Sequence, residues 1–221
     1  MDINHKDYHS NLSFFRKFQM LAMRTFPELG SHTAHLIHMS FGLNTEMNEL
    51  EDAFEKKDRI NVSEELADMM WYFACYIFIR NEHDSEIGDS DYHRIAITLT
   101  NFISISDSYN TSNVFGRIFN FFIKKYTTKR HIKLLYYNIS LLQDPIKKLF
   151  VYKQAYDKEM EIELLMRILI SIRTIYYVQN LDFEKSLMNV IDKLIKRFPE
   201  KFTEHLAQNR NLEAERKELE K

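Results

Sequence analysis

The chain has 221 residues, 45% of them hydrophobic, and a formal net charge of −2 at pH 7. That length suffices for one sizeable core or two small modules, and the near-neutral charge gives no electrostatic case for nucleic acid or a membrane surface as the main partner. Cys75 is the only cysteine, so an intramolecular disulfide is excluded and a reducing cytoplasm fits.

Four glycines and three prolines leave little turn chemistry. Together with long periodic segments, this predicts an all-α fold. Residues 1–10 are polar. Asn11 to Thr25 is expected as a first helix, with Leu12, Phe15, Phe18, Leu21 and Ala22 on one stripe. Pro27 and Gly30 interrupt it, and Ser31 is the expected N-cap of a second helix running to about Lys57. Its stripe is Leu36, Met39, Leu43, Met47, Leu50 and Phe54. A third helix is expected from Asn61 or Ser63, since Asn61 and Glu64 have capping-box spacing. It is apolar nearly all round from Met69 to Ile79, a run far too short to span a bilayer. The N-terminus lacks the basic-then-apolar pattern of a signal peptide, so the expected location is cytoplasmic.

After a polar, acidic connection over 81–91, a fourth helix is expected from Tyr92 to Ser106. The layout then starts again. Helices are expected over Val114 to Tyr126, His131 to Lys153, Met160 to Gln179 and Phe183 to Phe198. Setting Leu142 against Leu43 matches the two halves without a gap over about forty residues, which suggests an internal duplication with units 1–109 and 110–221. Any two amphipathic four-helix runs share the helical period, so an accidental match stands beside that reading. If the duplication is real, Pro145 and Lys148 fall where Glu46 and Glu49 stand and, one deletion later, Met166 falls where Asp68 stands. The second unit would then lack the acidic residues.

Those acidic residues form two pairs, Glu46 with Glu49 and Glu65 with Asp68. Three residues on a helix correspond to a rotation of about 60° and nearly one turn, so each pair shares a face. Two antiparallel neighbouring helices would bring all four carboxylates together. Such a cluster repels itself unless a cation sits within it, and Mg²⁺ is the natural partner for oxygen ligands. The bland alternative is a solvated acidic face. Asp68 argues against it, because it stands at the edge of an apolar run, where an unpaired charge is costly. His32, His35 and His38 also invite a metal reading, but steps of three spread the outer two by about 120° and no cysteine completes a zinc set.

The runs Phe41-Gly-Leu-Asn-Thr-Glu-Met-Asn-Glu-Leu50 and Ser63-Glu-Glu-Leu-Ala-Asp-Met-Met-Trp-Tyr72 resemble the MazG-type all-α nucleoside triphosphate pyrophosphohydrolases, a superfamily that includes the dimeric dUTPases. Its pattern is E-x-x-E, a gap, then E-x-x-D; fifteen residues separate Glu49 from Glu65. Asn189 to Phe202, with Lys193 and Arg197 before Phe-Pro-Glu, resembles the family's last core helix, and Ala207 to Arg216 resembles the tail of small members. The resemblance covers about residues 31–80 and 183–216; the middle departs from the single-module family.

The resemblance implies a four-helix-bundle module, here in two tandem copies as a pseudo-dimer or as part of a homodimer. It implies Mg²⁺, with Mn²⁺ as a substitute, held by Glu46, Glu49, Glu65 and Asp68. Glu49 and Glu46 would orient or deprotonate the attacking water. Lys193, Arg197 and Asn189 would contact a nucleoside triphosphate, with His38, Trp71 and Tyr72 at the base, and Phe14 and Phe18 as further apolar candidates. The products would be a (d)NMP and pyrophosphate. A catalytically weak nucleotide-binding protein of the same fold, and a purely structural bundle with solvated acidic faces, remain as alternative readings.

Overall fold

The computed structural model describes residues 5–84, 90, 91, 94, 95, 98, 114–154 and 157–220, with side chains from residue 14 onward outside 82–89 and 114–123. In chain order the described helices are α1 (His5–Met23), α2 (His32–Lys56), α3 (Arg59–Asp84), α4 (Val114–Tyr152), α5 (Lys158–Gln179), α6 (Phe183–Arg197), α7 (Glu204–Gln208) and α8 (Leu212–Leu219). Among the described residues there is no strand, and the all-α expectation holds. The helix expected over 92–106 and the proposed boundary near residue 109 fall largely outside the described residues.

The expected starts and stops follow from local chemistry. Ser31 accepts the Ala34 N–H at 3.2 Å and caps α2. At the other end Lys57 takes the left-handed conformation (φ 57°). Asp58 N–H then returns to the Ala53 carbonyl and Lys57 N–H to that of Phe54, a Schellman closure built on a lysine. The N-terminus of α3 differs from expectation. Asp58, not Asn61, caps it, accepting the N–H groups of Ile60 and Asn61 at 3.1 Å each. The tight exit from α2 leaves Asp58 in the capping position, and Asn61 instead accepts from Arg216.

A second difference lies in α4. Two helices were expected there; one helix runs unbroken for 39 residues. Thr127-Thr-Lys-Arg130 reads as a polar connection but contains no glycine or proline, so nothing in it forces the backbone out of the helix. Pro145 lies within the same helix and is buried. It lacks the N–H that would bond back to residue 141, a local cost that the packing of Leu142 and Ile146 offsets.

The central element is α3. It packs on α1, α2, α5 and α6, while α4 lies along α2 and α5. One continuous cluster of buried apolar side chains runs from Phe15 to Phe198, which explains why α3 is apolar nearly all round. Gln19 of α1 donates to the Ala74 carbonyl at 3.0 Å. Between α3 and α5 sits a charged group in the core: Arg80 Nε and Nη2 donate to Glu161, and Tyr76 Oη donates to Glu161 Oε1 at 2.5 Å. Both members of this pair are almost fully buried, so each is the other's necessary partner. Glu163, two residues on, points outward and pairs with Arg167. Outside the core, α8 docks on α6, and no described helix is long and apolar enough to cross a membrane.

Candidate active site

The antiparallel pairing of α2 and α3 brings the two acidic signatures face to face. Ligand atoms of Glu46, Glu49 and Glu65 all lie within 4.8 Å of one another. Glu65 is buried, Glu46 half-buried and Glu49 exposed, so the cluster opens from the core toward solvent. Among the described residues no other set of histidine, cysteine or acidic side chains is grouped this way; His32, His35 and His38 do not form one. His35 accepts the Leu29 N–H at 2.9 Å and fixes the loop before α2.

Asp68 faces the same cavity but has a different partner. Lys193 of α6 projects into the bundle and is 3% exposed. Its Nζ lies 2.5 Å from Asp68 Oδ2 and 3.0 Å from Glu64 Oε1. Burial alone would lower the Lys193 pKa, but Asp68 and Glu64 outweigh it and raise it, so the ammonium stays charged. Arg197, one turn on, donates through Nε to Glu215 Oε1 at 2.9 Å and through Nη2 to Oε2. Arg210 Nη2 donates to the same Oε2 at 2.8 Å. Burial would raise the Glu215 pKa; the two guanidiniums hold it below the usual carboxylate range.

These groups surround one cavity of about 250 Å³. Glu46, Glu49, Glu64, Glu65 and Asp68 supply its acidic side and Lys193, Arg197 and Arg210 its basic side. Thr25, Pro27, His38, Trp71, Tyr72, Phe198 and Phe202 supply most of the remaining wall. Trp71 Nε1 donates to Thr25 Oγ1 at 3.3 Å, and its ring meets Tyr72 edge-on at 4.9 Å. Tyr72 in turn meets His38 at 5.7 Å. Of the residues expected at the site, Glu46, Glu49, Glu65, Asp68, Lys193, Arg197, His38, Trp71 and Tyr72 all border the cavity. Asn189 does not: its amide donates to the Leu219 carbonyl and ties α6 to α8. Phe14 and Phe18 pack into the core rather than the wall. The sequence reading missed Glu64, Arg210 and Glu215. Glu64 stands inside the quoted Ser63-Glu-Glu run and was readable there; Arg210 and Glu215 lie inside the Ala207 to Arg216 stretch that resembles the family tail, but neither was given a role there.

Residues 37–91 match the family model of the MazG nucleotide pyrophosphohydrolase domain. This stretch is MazG-like. The match takes in both acidic signatures and points to nucleotide pyrophosphohydrolase activity in general, in a family whose enzymes generally depend on divalent metal. It leaves out α6 and the tail, for which the geometry speaks alone. No curated protein and no solved structure matches the chain.

In the MazG-like segment, Gly42 is where α2 lets Tyr72 cross. A Cβ there would stand 2.1 Å from Tyr72 Cε1 and 2.3 Å from Cζ, closer than any real contact. Alanine in place of a helical glycine ordinarily gains about 1 kcal/mol. Here the clash wins: Gly42→Ala is expected to swing Tyr72 from the wall and to lower stability by about 1–2 kcal/mol, within the range for overpacking. Trp71, the chain's only tryptophan, reports this directly. Its fluorescence should shift in the variant, and an unchanged spectrum would show that Tyr72 stays in place.

The acidic cluster also fixes a pH dependence. Burial, then Asp68 and Glu49, push Glu46 from the usual 4.5 up to about 8. Burial, then Asp68, Glu64, Glu46 and Glu49, push Glu65 up to about 10. Both folded-state values exceed the unfolded one. Their contribution to stability is therefore fully present below about pH 4.5 and is lost as pH rises through 8 toward 10. A divalent cation needs the deprotonated carboxylates and so binds more tightly as pH rises through that window. The rise in Tm produced by millimolar Mg²⁺ should be larger at pH 8.5 than at pH 6; equal rises in thermal unfolding would contradict the assignment.

Proposed function

We propose that the chain is a divalent-metal-dependent nucleoside triphosphate pyrophosphohydrolase that converts a (d)NTP to a (d)NMP and pyrophosphate. The observation that carries this reading is the joining of the Glu46, Glu49 and Glu65 cluster to three cationic side chains around one cavity, within and beside a MazG-like match. The donor set fits a hard cation: three carboxylates within reach of one another, all oxygen, one of them open to solvent. Mg²⁺, or Mn²⁺ in its place, would be held by Glu46, Glu49 and Glu65, with Asp68 beside them. When bound, the ion supplies Lewis acidity and neutralises phosphate charge.

The chain's own residues do the rest. Glu49, the exposed member, orients a water and accepts its proton. The water oxygen bonds to the α-phosphorus, the bond from that phosphorus to the bridging oxygen breaks, and pyrophosphate leaves with that oxygen. Lys193 holds Asp68 and Glu64 in place, and Arg197 faces the phosphate chain. Trp71, Tyr72 and His38 form an apolar and aromatic wall suited to a base. The substrate belongs to the cytoplasmic nucleotide pool in this reading. Residues 110–221 are read as a worn second unit: α4 packs on α2 and α5 on α3 as that reading requires, while α4 runs unbroken where the first unit turns between α1 and α2.

The test is direct. The protein is incubated with Mg²⁺ and a panel of canonical and modified nucleoside triphosphates, and release of pyrophosphate and nucleoside monophosphate is measured. Stoichiometric release of both is expected. Binding without turnover would move the assignment to a nucleotide-binding protein of the same fold, and neither binding nor turnover would overturn it.

A further inference from the structure

The C-terminal tail carries a feature that the acidic signatures do not account for. Arg197 on α6 and Arg210, in the turn before α8, both donate to one carboxylate, Glu215, and both line the cavity. Arg197 alone satisfies Glu215 through a two-point contact using Nε and Nη2. That contact already ties the tail to α6. A second guanidinium on the same Oε2 brings two positive charges together beside the cavity, a cost that Glu215 and the nearby Glu64 and Asp68 offset. Glu215 is 3% exposed, whereas the Arg210 side chain is 44% exposed. The carboxylate is thus packed in the tail, and the Arg210 side chain is the more open partner. It lines the same cavity as Glu64 and Asp68; burial would lower its pKa, but Glu215, and with it Glu64 and Asp68, raise it.

We propose that Arg210 is a further ligand for the phosphate chain of the substrate, and that Glu215 is a stand-in anion that holds Arg197 and Arg210 in the cavity until phosphate oxygens take its place. This deepens the triphosphate reading and rests on it. Lys193 is buried on Asp68 and Glu64, whereas the Arg197 and Arg210 side chains border the same cavity 16% and 44% exposed, where an entering phosphate chain would meet them. Each guanidinium has five N–H donors, of which Arg210 uses one on Glu215 and Arg197 two, so both retain donors for a second anion.

The full chain is titrated calorimetrically, in Mg²⁺, with the α,β-methylene analogues of ATP, GTP, CTP and UTP, which do not release pyrophosphate. Arg210→Ala should weaken binding of the preferred analogue by about tenfold or more, the loss typical of a charge-assisted hydrogen bond. Glu215→Gln removes the competing charge while keeping the shape, and should tighten binding severalfold. If Arg210 only clamps the tail, both variants disturb the same contact and weaken binding alike; that result overturns the proposal. Binding by Arg210→Ala within twofold of the unaltered protein also overturns it while leaving the triphosphate reading intact. Failure of the unaltered protein to bind any analogue would remove that reading, and this proposal with it.

Discussion

Replacing Lys193 with methionine should lower the stability of the protein by about 3–5 kcal/mol, the usual cost of leaving buried charge without its partner. Methionine matches the length of the lysine stem and fills the same channel, so the loss measures the ammonium and not the packing. Without it, Glu64 and Asp68 lose a partner at 3.0 and 2.5 Å, and five carboxylates face one cavity with no buried cation between them. Urea denaturation at pH 7 is the measurement. Millimolar Mg²⁺ should recover part of the loss, because the ion supplies the missing positive charge to the same carboxylates. A loss below about 1 kcal/mol, the scale of an exposed pair, would show that water replaces the ammonium and that the pair is not effectively buried.

The second large effect separates two glutamates that the sequence treats alike. Glu65→Gln removes a buried carboxyl that is already pushed up to about 10, so the amide resembles the state the metal-free fold prefers. At pH 8 without metal, the variant should be more stable than the parent by at least about 1 kcal/mol, the worth of one pKa unit or less. At pH 4, where Glu65 is protonated in both folded and unfolded chains, the two should coincide. Its Mg²⁺ affinity should fall by about tenfold or more, since changes to outer-shell partners alone cost about 10–100-fold. Glu49→Gln, at the exposed edge, should reduce the rate of pyrophosphate release by about 10²–10⁴-fold, the range for a positioned general base. Thermal unfolding with and without Mg²⁺, paired with a pyrophosphate assay, checks both variants. A Glu65→Gln protein with unchanged Mg²⁺ response would remove that residue from the metal set.

Much of this was legible in the sequence because it rests on short-range rules. The start of α2 at Ser31 and its end near Lys57 follow from capping and periodicity, and so do the two acidic pairs on their helical faces. What the sequence hid depends on partners far apart. The resemblance sets Lys193 and Arg197 toward phosphate, yet Lys193 turns inward to Glu64 and Asp68, more than a hundred residues away. Arg210 and Glu215 have meaning only once α8 has docked on α6. The single long α4 was missed for the opposite reason: a polar stretch without breakers looks like a connection, but only packing decides whether the helix continues.

The separation of 125 positions between Asp68 and Lys193 bears on how the protein is made. During synthesis the carboxylates of α2 and α3 emerge long before α6, and Arg210 and Glu215 come later still. A nascent chain halted before residue 193 holds all the acidic residues that line the finished cavity and none of its lysines and arginines. Its acidic half has to wait, protonated or shielded by free cations, for the last helices to arrive. Contacts this distant in sequence are slow to form. The final fifth of the chain therefore governs when the acidic half can settle, as well as what the finished pocket can hold.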